Sequence, residues 1–102
     1  MATSSQDALF HIKKLDGTNF PFWKKQIWQV LVQKKQIKPI KFKGERPEDM
    51  EVDDWVELDE LACSTIMLTL AENVYFNVTD ETTAYGVWQK LCDLYKKHSA
   101  AA

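Results

Sequence analysis

"DWVELDELACSTIMLTL" (Asp54–Leu70) is the stretch on which the reading of this 102-residue chain turns. Trp55, Leu58, Ala62, Ile66 and Leu70 recur at helical spacing and define one apolar face. Leu61 and Leu68 widen it on one side, Val56, Cys63 and Met67 on the other, leaving Glu57, Glu60 and Ser64 as the wet strip. Asp53 suits the cap position, and acidic residues suit the positive end of the helix dipole. A helix apolar over most of its circumference belongs in the middle of a bundle, so this segment is expected to be the central, enclosed element. Asp59 falls about 40° from Trp55, inside the apolar arc. Its carboxylate is either satisfied locally at the margin, or paired with a Lys or a helix N-terminus in a contact that fixes packing.

Upstream, a helix is expected from about Phe20 to Gln36. Pro21 fits its first turn, and Thr18 or Asn19 can supply capping oxygens. Phe20, Trp23, Ile27, Val30 and Leu31 share a core-facing arc of about 100°. Phe22, Trp28 and Val32 lie off it. Residues 37–52, "IKPIKFKGERPEDMEV", show no helical period and read as a long, functional or partly mobile connection. Downstream, "AENVYFNV" (Ala71–Val78) suits a short helix. A last helix is expected from Ala84 to Lys97, capped by Thr83, with Trp88, Leu91 and Tyr95 as its core stripe. Leu9–Leu15 could be a short extended segment.

Core anchors are therefore expected at Trp23, Ile27, Leu31, Trp55, Leu58, Ala62, Ile66, Leu70, Trp88, Leu91 and Tyr95. The surplus apolar groups are Phe22, Trp28, Val32, Tyr75 and Phe76. They sit either at the margin of the chain's own core or against a neighbouring copy or partner, where aromatic anchors are favoured. Trp28→Ala is expected to leave the fold intact and weaken assembly.

Charge is unevenly spread. Residues 1–46 hold ten Lys/Arg against three Asp/Glu, a net of +7; residues 47–102 hold three against twelve, a net of −9. Such a split suits pairing between segments of one chain or between copies. The basic group Lys38, Lys41, Lys43 and Arg46 is the candidate electrostatic surface. An acidic stretch follows it directly and the whole chain is at −2, so RNA contact by this region is not expected.

Catalytic chemistry has little to stand on. His11 and His98 lie near opposite ends, and Cys63 and Cys92 are 29 residues apart without zinc-finger spacing. Phosphate-loop, nucleophile-elbow and H-E-x-x-H patterns are absent, and the carboxylates of 48–60 do not follow an EF-hand order. No enzyme, cofactor or metal is expected. No apolar run approaches the roughly 18 residues of a membrane span, and the first residues have no signal-peptide pattern. The expectation is an intracellular protein with reduced thiols.

Three quoted stretches carry a resemblance: "LDGTNFPFWKKQIWQVLVQK", "PEDMEVDDWVELDELACSTIMLTLAENV" and "DETTAYGVWQKLCDLYKK". Gly17, Asn19, Phe20 and Trp23, then Trp55, Leu58, Asp59 and Glu60, then Thr83, Ala84, Val87, Trp88 and Leu91 with Leu94 and Tyr95, follow in order over about residues 13–97. The set resembles the amino-terminal region of Gag from copia-type long-terminal-repeat retrotransposons, plant elements especially. The resemblance implies an all-α fold: a small orthogonal bundle of four to five helices, like a retroviral capsid amino-terminal domain, with a long loop after the first helix. It implies copies that self-assemble into cytoplasmic virus-like particles around element RNA. A domesticated lobe taking a peptide or host protein in an apolar groove is the alternative. Residues 1–8 are then a disordered N-terminus, 9–97 the lobe, and 98–102 a tail or linker toward a second lobe. Gly86 departs from the family pattern, where an acidic residue often completes a capping box, and the last helix is expected to fray at its start.

Overall fold

The computed structural model describes residues 11–96. The expected disordered start at 1–8, the tail at 98–102, His98 and the end of the last helix at Lys97 lie outside them. Among the described residues five complete α-helices follow in order: α1 Phe20–Gln33, α2 Lys38–Lys41, α3 Val52–Met67, α4 Glu72–Tyr75 and α5 Ala84–Leu91, which widens into a π-helical turn at Cys92–Lys96. Among the described residues the only β-type pairing is one bridge, Leu15 with Leu70. The fold is all-α.

α1 begins as Pro21 predicts, but its entry is closed differently. The Asn19 side chain does not cap the helix. Its Oδ1 accepts from the Asp16 N–H at 3.1 Å and its Nδ2 donates to the Lys14 carbonyl at 3.0 Å. Thr18 donates through both N–H and Oγ1 to Asp16 Oδ1. Those two bonds hold the Asp16 carboxyl below the usual carboxylate range. At the other end α1 stops three residues earlier than its apolar period suggests. Lys35 turns left-handed, φ 60°. The Lys35 N–H then reaches the Val32 carbonyl and the Gln36 N–H the Leu31 carbonyl, a Schellman closure without the usual glycine.

The stretch after α1 is not an open loop. Pro39 and Ile40 are buried in the single turn of α2, and buried Gln36 accepts a 2.6 Å hydrogen bond from Thr65 Oγ1 of α3. One turn is too short to show a helical period, which is why the sequence reads as a connection.

α3 departs most from expectation. It starts at Val52 behind Glu51, not behind Asp53, and makes no side-chain cap bond. Only Ala62, Thr65 and Ile66 of its sixteen residues are buried. Trp55 and Leu58, expected as core anchors, are half-buried and stand outside the core cluster. Val52, Val56, Leu61 and Leu68 are exposed. Leu70 is buried, but beyond the helix, in the bridge to Leu15: the Leu15 N–H donates to the Thr69 carbonyl and the Ala71 N–H to the Leu15 carbonyl, both at 2.9 Å.

The enclosed element is α5. Ala84, Val87, Trp88 and Leu91 are all buried, and α2, α3 and the π-turn pack on it. Its first turn is held rather than frayed. Thr83 Oγ1 accepts from the Gly86 N–H at 3.0 Å, and Asp59 Oδ1 of α3 accepts from the Ala84 N–H at 3.2 Å. Glu81 takes the place the missing acidic residue would fill: a Cβ on Gly86 would meet its Oε1 at 2.7 Å.

Candidate assembly surfaces

α1 lays its apolar arc into the core and sets Trp28 on the flank of that arc. Trp23 is 1% exposed, and its indole donates to Thr69 Oγ1 at 3.1 Å, which in turn donates to the Ile66 carbonyl at 2.7 Å. Trp23 lies 5.9 Å from Phe20 and 6.3 Å from Trp88, ring centre to ring centre. Trp28 extends the cluster outward, 6.0 Å from Trp88. It is half-buried against the core, so Trp28→Ala also removes part of an aromatic stack worth about 0.5–1.5 kcal/mol beyond its buried area.

Beside this stack runs an open groove of ≈ 620 Å³, lined by Phe20, Pro21, Lys24, Lys25, Trp28, Gln29 and Lys96. The π-turn carries Lys96 to its edge and seats half-buried Tyr95 6.4 Å from Phe20, with the Tyr95 hydroxyl accepting from Asn77 Nδ2. Lys24 Nζ hangs 5.8 Å from the Phe20 ring and 5.7 Å from the Trp88 ring, a cation–π bridge over the groove wall. Apolar floor and cationic rim together fit an amphipathic, acidic segment.

A second apolar surface forms where α3 meets α4. Leu68 is 62% exposed and Phe76 66%, with Tyr75 edge-on to Phe76 at 6.0 Å. Glu60, Cys63, Met67, Leu68, Tyr75 and Thr82 line a shallow depression there. Phe22, 62% exposed, and Val32 project from α1. Of the five surplus apolar residues singled out from the sequence, Phe22, Val32, Tyr75 and Phe76 are thus exposed, and Trp28 belongs half to the core.

Among the described residues the ion pairs are those of Lys90 with Asp80 and Glu81, both within the C-terminal half. Among these residues the internal pairing offered by the charge split is not realised. Lys38, Lys41 and Lys43 are exposed as expected of a contact surface. Arg46 is not a free cation: its guanidinium donates to the Met50 carbonyl at 2.7 Å and pins the turn before α3.

Chemistry-bearing groups are scattered. Burial pushes both Cys63 and Cys92 thiols up, so neither is an activated nucleophile. Asp59 is raised by its burial, against the lowering bond from Ala84. Among the described residues no group of three or more His, Cys, Asp or Glu could hold a metal, and no helix is long and apolar enough to cross a membrane.

Sequence reasoning passed over Leu15, Val74, Val78, Thr65 and Thr69, all buried. Val74 and Val78 carried a usable signal, four residues apart in one short apolar run. Leu15, Thr65 and Thr69 are buried by partners far along the chain.

The family model for the gag-polypeptide of LTR copia-type matches residues 21–102. The chain is 36% identical over 87 residues to the Retrovirus-related Pol polyprotein from transposon TNT 1-94 of Nicotiana tabacum, a match over 84% of this chain and 7% of that protein. No solved structure matches.

Proposed function

The chain belongs to the gag polypeptides of LTR copia-type elements, and from that premise we propose that it is an amino-terminal capsid lobe that packs against other copies into the shell of a virus-like particle. Its role in the element is structural and not catalytic. Element RNA is enclosed by the particle in the cytoplasm, without direct contact from this lobe. The observation that carries the reading is the exposed apolar surface: Phe22, Val32, Leu68, Tyr75 and Phe76 stand outside a core already closed without them. A lobe working alone gains nothing from two phenylalanines more than 60% exposed.

The test is electron microscopy of a longer Gag containing this chain and its second lobe. Closed shells or tubes are expected, and Phe22→Ser with Phe76→Ser should disperse them while the thermal unfolding of the 102-residue chain stays within about 0.5 kcal/mol of wild type. Dispersed wild-type protein at all concentrations would sink the reading. Neutralising Lys38, Lys41 and Lys43 should leave packaged RNA unchanged.

The groove over Phe20, Pro21 and Trp28 favours a second reading, a monomeric lobe that receives a peptide of another protein. It requires saturable one-to-one binding and no self-association.

A further inference from the structure

We propose that the lysine-rimmed groove of one copy receives the acidic N-terminal half of α3 of the next, so that copies join head to tail. The inference rests on the assembly reading and names the contact.

Both surfaces are built, and among the described residues neither is covered by an ion-pairing partner. The groove has Phe20, Pro21 and Trp28 as floor and Lys24, Lys25 and Lys96 as rim. Its size lies within the range of about 300–1,000 Å³ typical of occupied sites. The other surface is the start of α3. Val52 and Val56, one turn apart, are 55% and 50% exposed and form an apolar strip. Asp53 and Glu60 flank that strip on the Val56 side, about 60° and 40° around the helix from Val56. Among the described residues none of these lysines and neither of these carboxylates takes part in an ion pair.

Charge complementarity selects a second copy as the occupant. Among the described residues no ion pair joins the +7 half to the −9 half; the strip lies wholly in the acidic half, and the groove draws Lys24 and Lys25 from the basic half and Lys96 from the end of the acidic one. An apolar strip bordered by carboxylates is the complement of an apolar trough bordered by ammonium groups. The two surfaces share no residue, so the contact is heterologous: each copy offers a groove to one neighbour and a strip to the other, and the chain of contacts closes into a ring or continues. A partner peptide from elsewhere would explain the groove and leave the strip unused.

Charge reversal on the 102-residue chain tests the contact through sedimentation equilibrium at low salt. Lys25→Glu with Lys96→Glu makes the groove match the sign of the strip; Asp53→Lys with Glu60→Lys does the converse. Each pair alone should weaken self-association about tenfold or more, with circular dichroism unchanged. Mixing the two variants restores both interfaces in an alternating chain, and all four changes in one chain restore self-association, each to within about threefold of wild type. Val56→Ser should weaken wild type and the four-fold variant alike. Association unaffected by the reversals, or lost without rescue on mixing, overturns the contact, as does a wild-type chain monomeric throughout. A longer Gag forming particles despite either single pair of reversals also overturns it and leaves the assembly reading standing. A longer Gag that stays dispersed while the short chains cross-rescue removes the particle reading and keeps the contact.

Discussion

α1 and α3 are the two longest helices, 14 and 16 residues, with apolar faces of similar quality in sequence, yet the protein uses them differently. α1 is buried from its first residue nearly to its last, through Phe20, Trp23, Ile27, Val30 and Leu31. α3 is buried only near its end, at Ala62, Thr65 and Ile66. An apolar stripe states which face of a helix would be buried; it does not state how far a neighbour extends along it. α5 spans eight residues, about 12 Å of helix, and cannot cover all of α3. The side left exposed there, with Val52, Val56 and Leu61, is surface available to another molecule.

The sharpest way to break this contrast is to truncate one Trp in each helix. Trp23→Ala should cost about 3–5 kcal/mol in denaturant unfolding, since it empties the core and leaves Thr69 without the indole donor. Trp55→Ala, half-buried, should cost about 1–2.5 kcal/mol. Equal losses would mean α3 is as enclosed as α1.

The join between α3 and α5 comes next. Asp59→Ala strips the Ala84 N–H of its acceptor and should cost about 1 kcal/mol, whereas Asp59→Asn keeps a carbonyl oxygen there and should cost little. The two also differ in pH dependence. Burial holds the folded Asp59 carboxyl above its ordinary 3.8, so the native state binds the extra proton in the interval between the unfolded and folded values. Stability from this group is therefore greatest in acid and falls as pH rises through that interval, then levels. Asp59→Asn, which does not titrate, should lose that slope, gaining on wild type as pH rises; unfolding midpoints measured across the acid range check it.

At the end of α1, Lys35→Gly should stabilise by about 0.5–1 kcal/mol, because φ 60° carries a Cβ penalty that glycine lacks. The smallest effect belongs to the open half of α3. Val56→Ser should move stability by no more than about 0.5 kcal/mol while weakening association between copies.

Much of this fold is legible residue by residue. The α1 arc, the Thr83 cap and the buried Trp88 and Leu91 follow from local periodicity and capping chemistry. Asp59 is legible as a problem, a carboxylate in an apolar arc, and a helix N-terminus is among the solutions its chemistry allows. Phe22 and Phe76 are legible as apolar residues without a place in a helical face. The groove is not, because its wall joins Phe20 and Trp28 of α1 to Lys96, far along the chain at the end of the π-turn.

Periodicity, capping residues and family motifs by themselves determined that the chain is helical, where most of its helices run, and which lineage it comes from. The tertiary structure alone decided that α5 is the enclosed helix, that Trp28 leans on Trp88, that Leu15 pairs with Leu70, and that among the described residues no ion pair joins the two charged halves. The reason is physical. Local sequence sets backbone preference and the direction a side chain faces, whereas burial and charge pairing depend on the distance to residues far along the chain, fixed only when the helices pack.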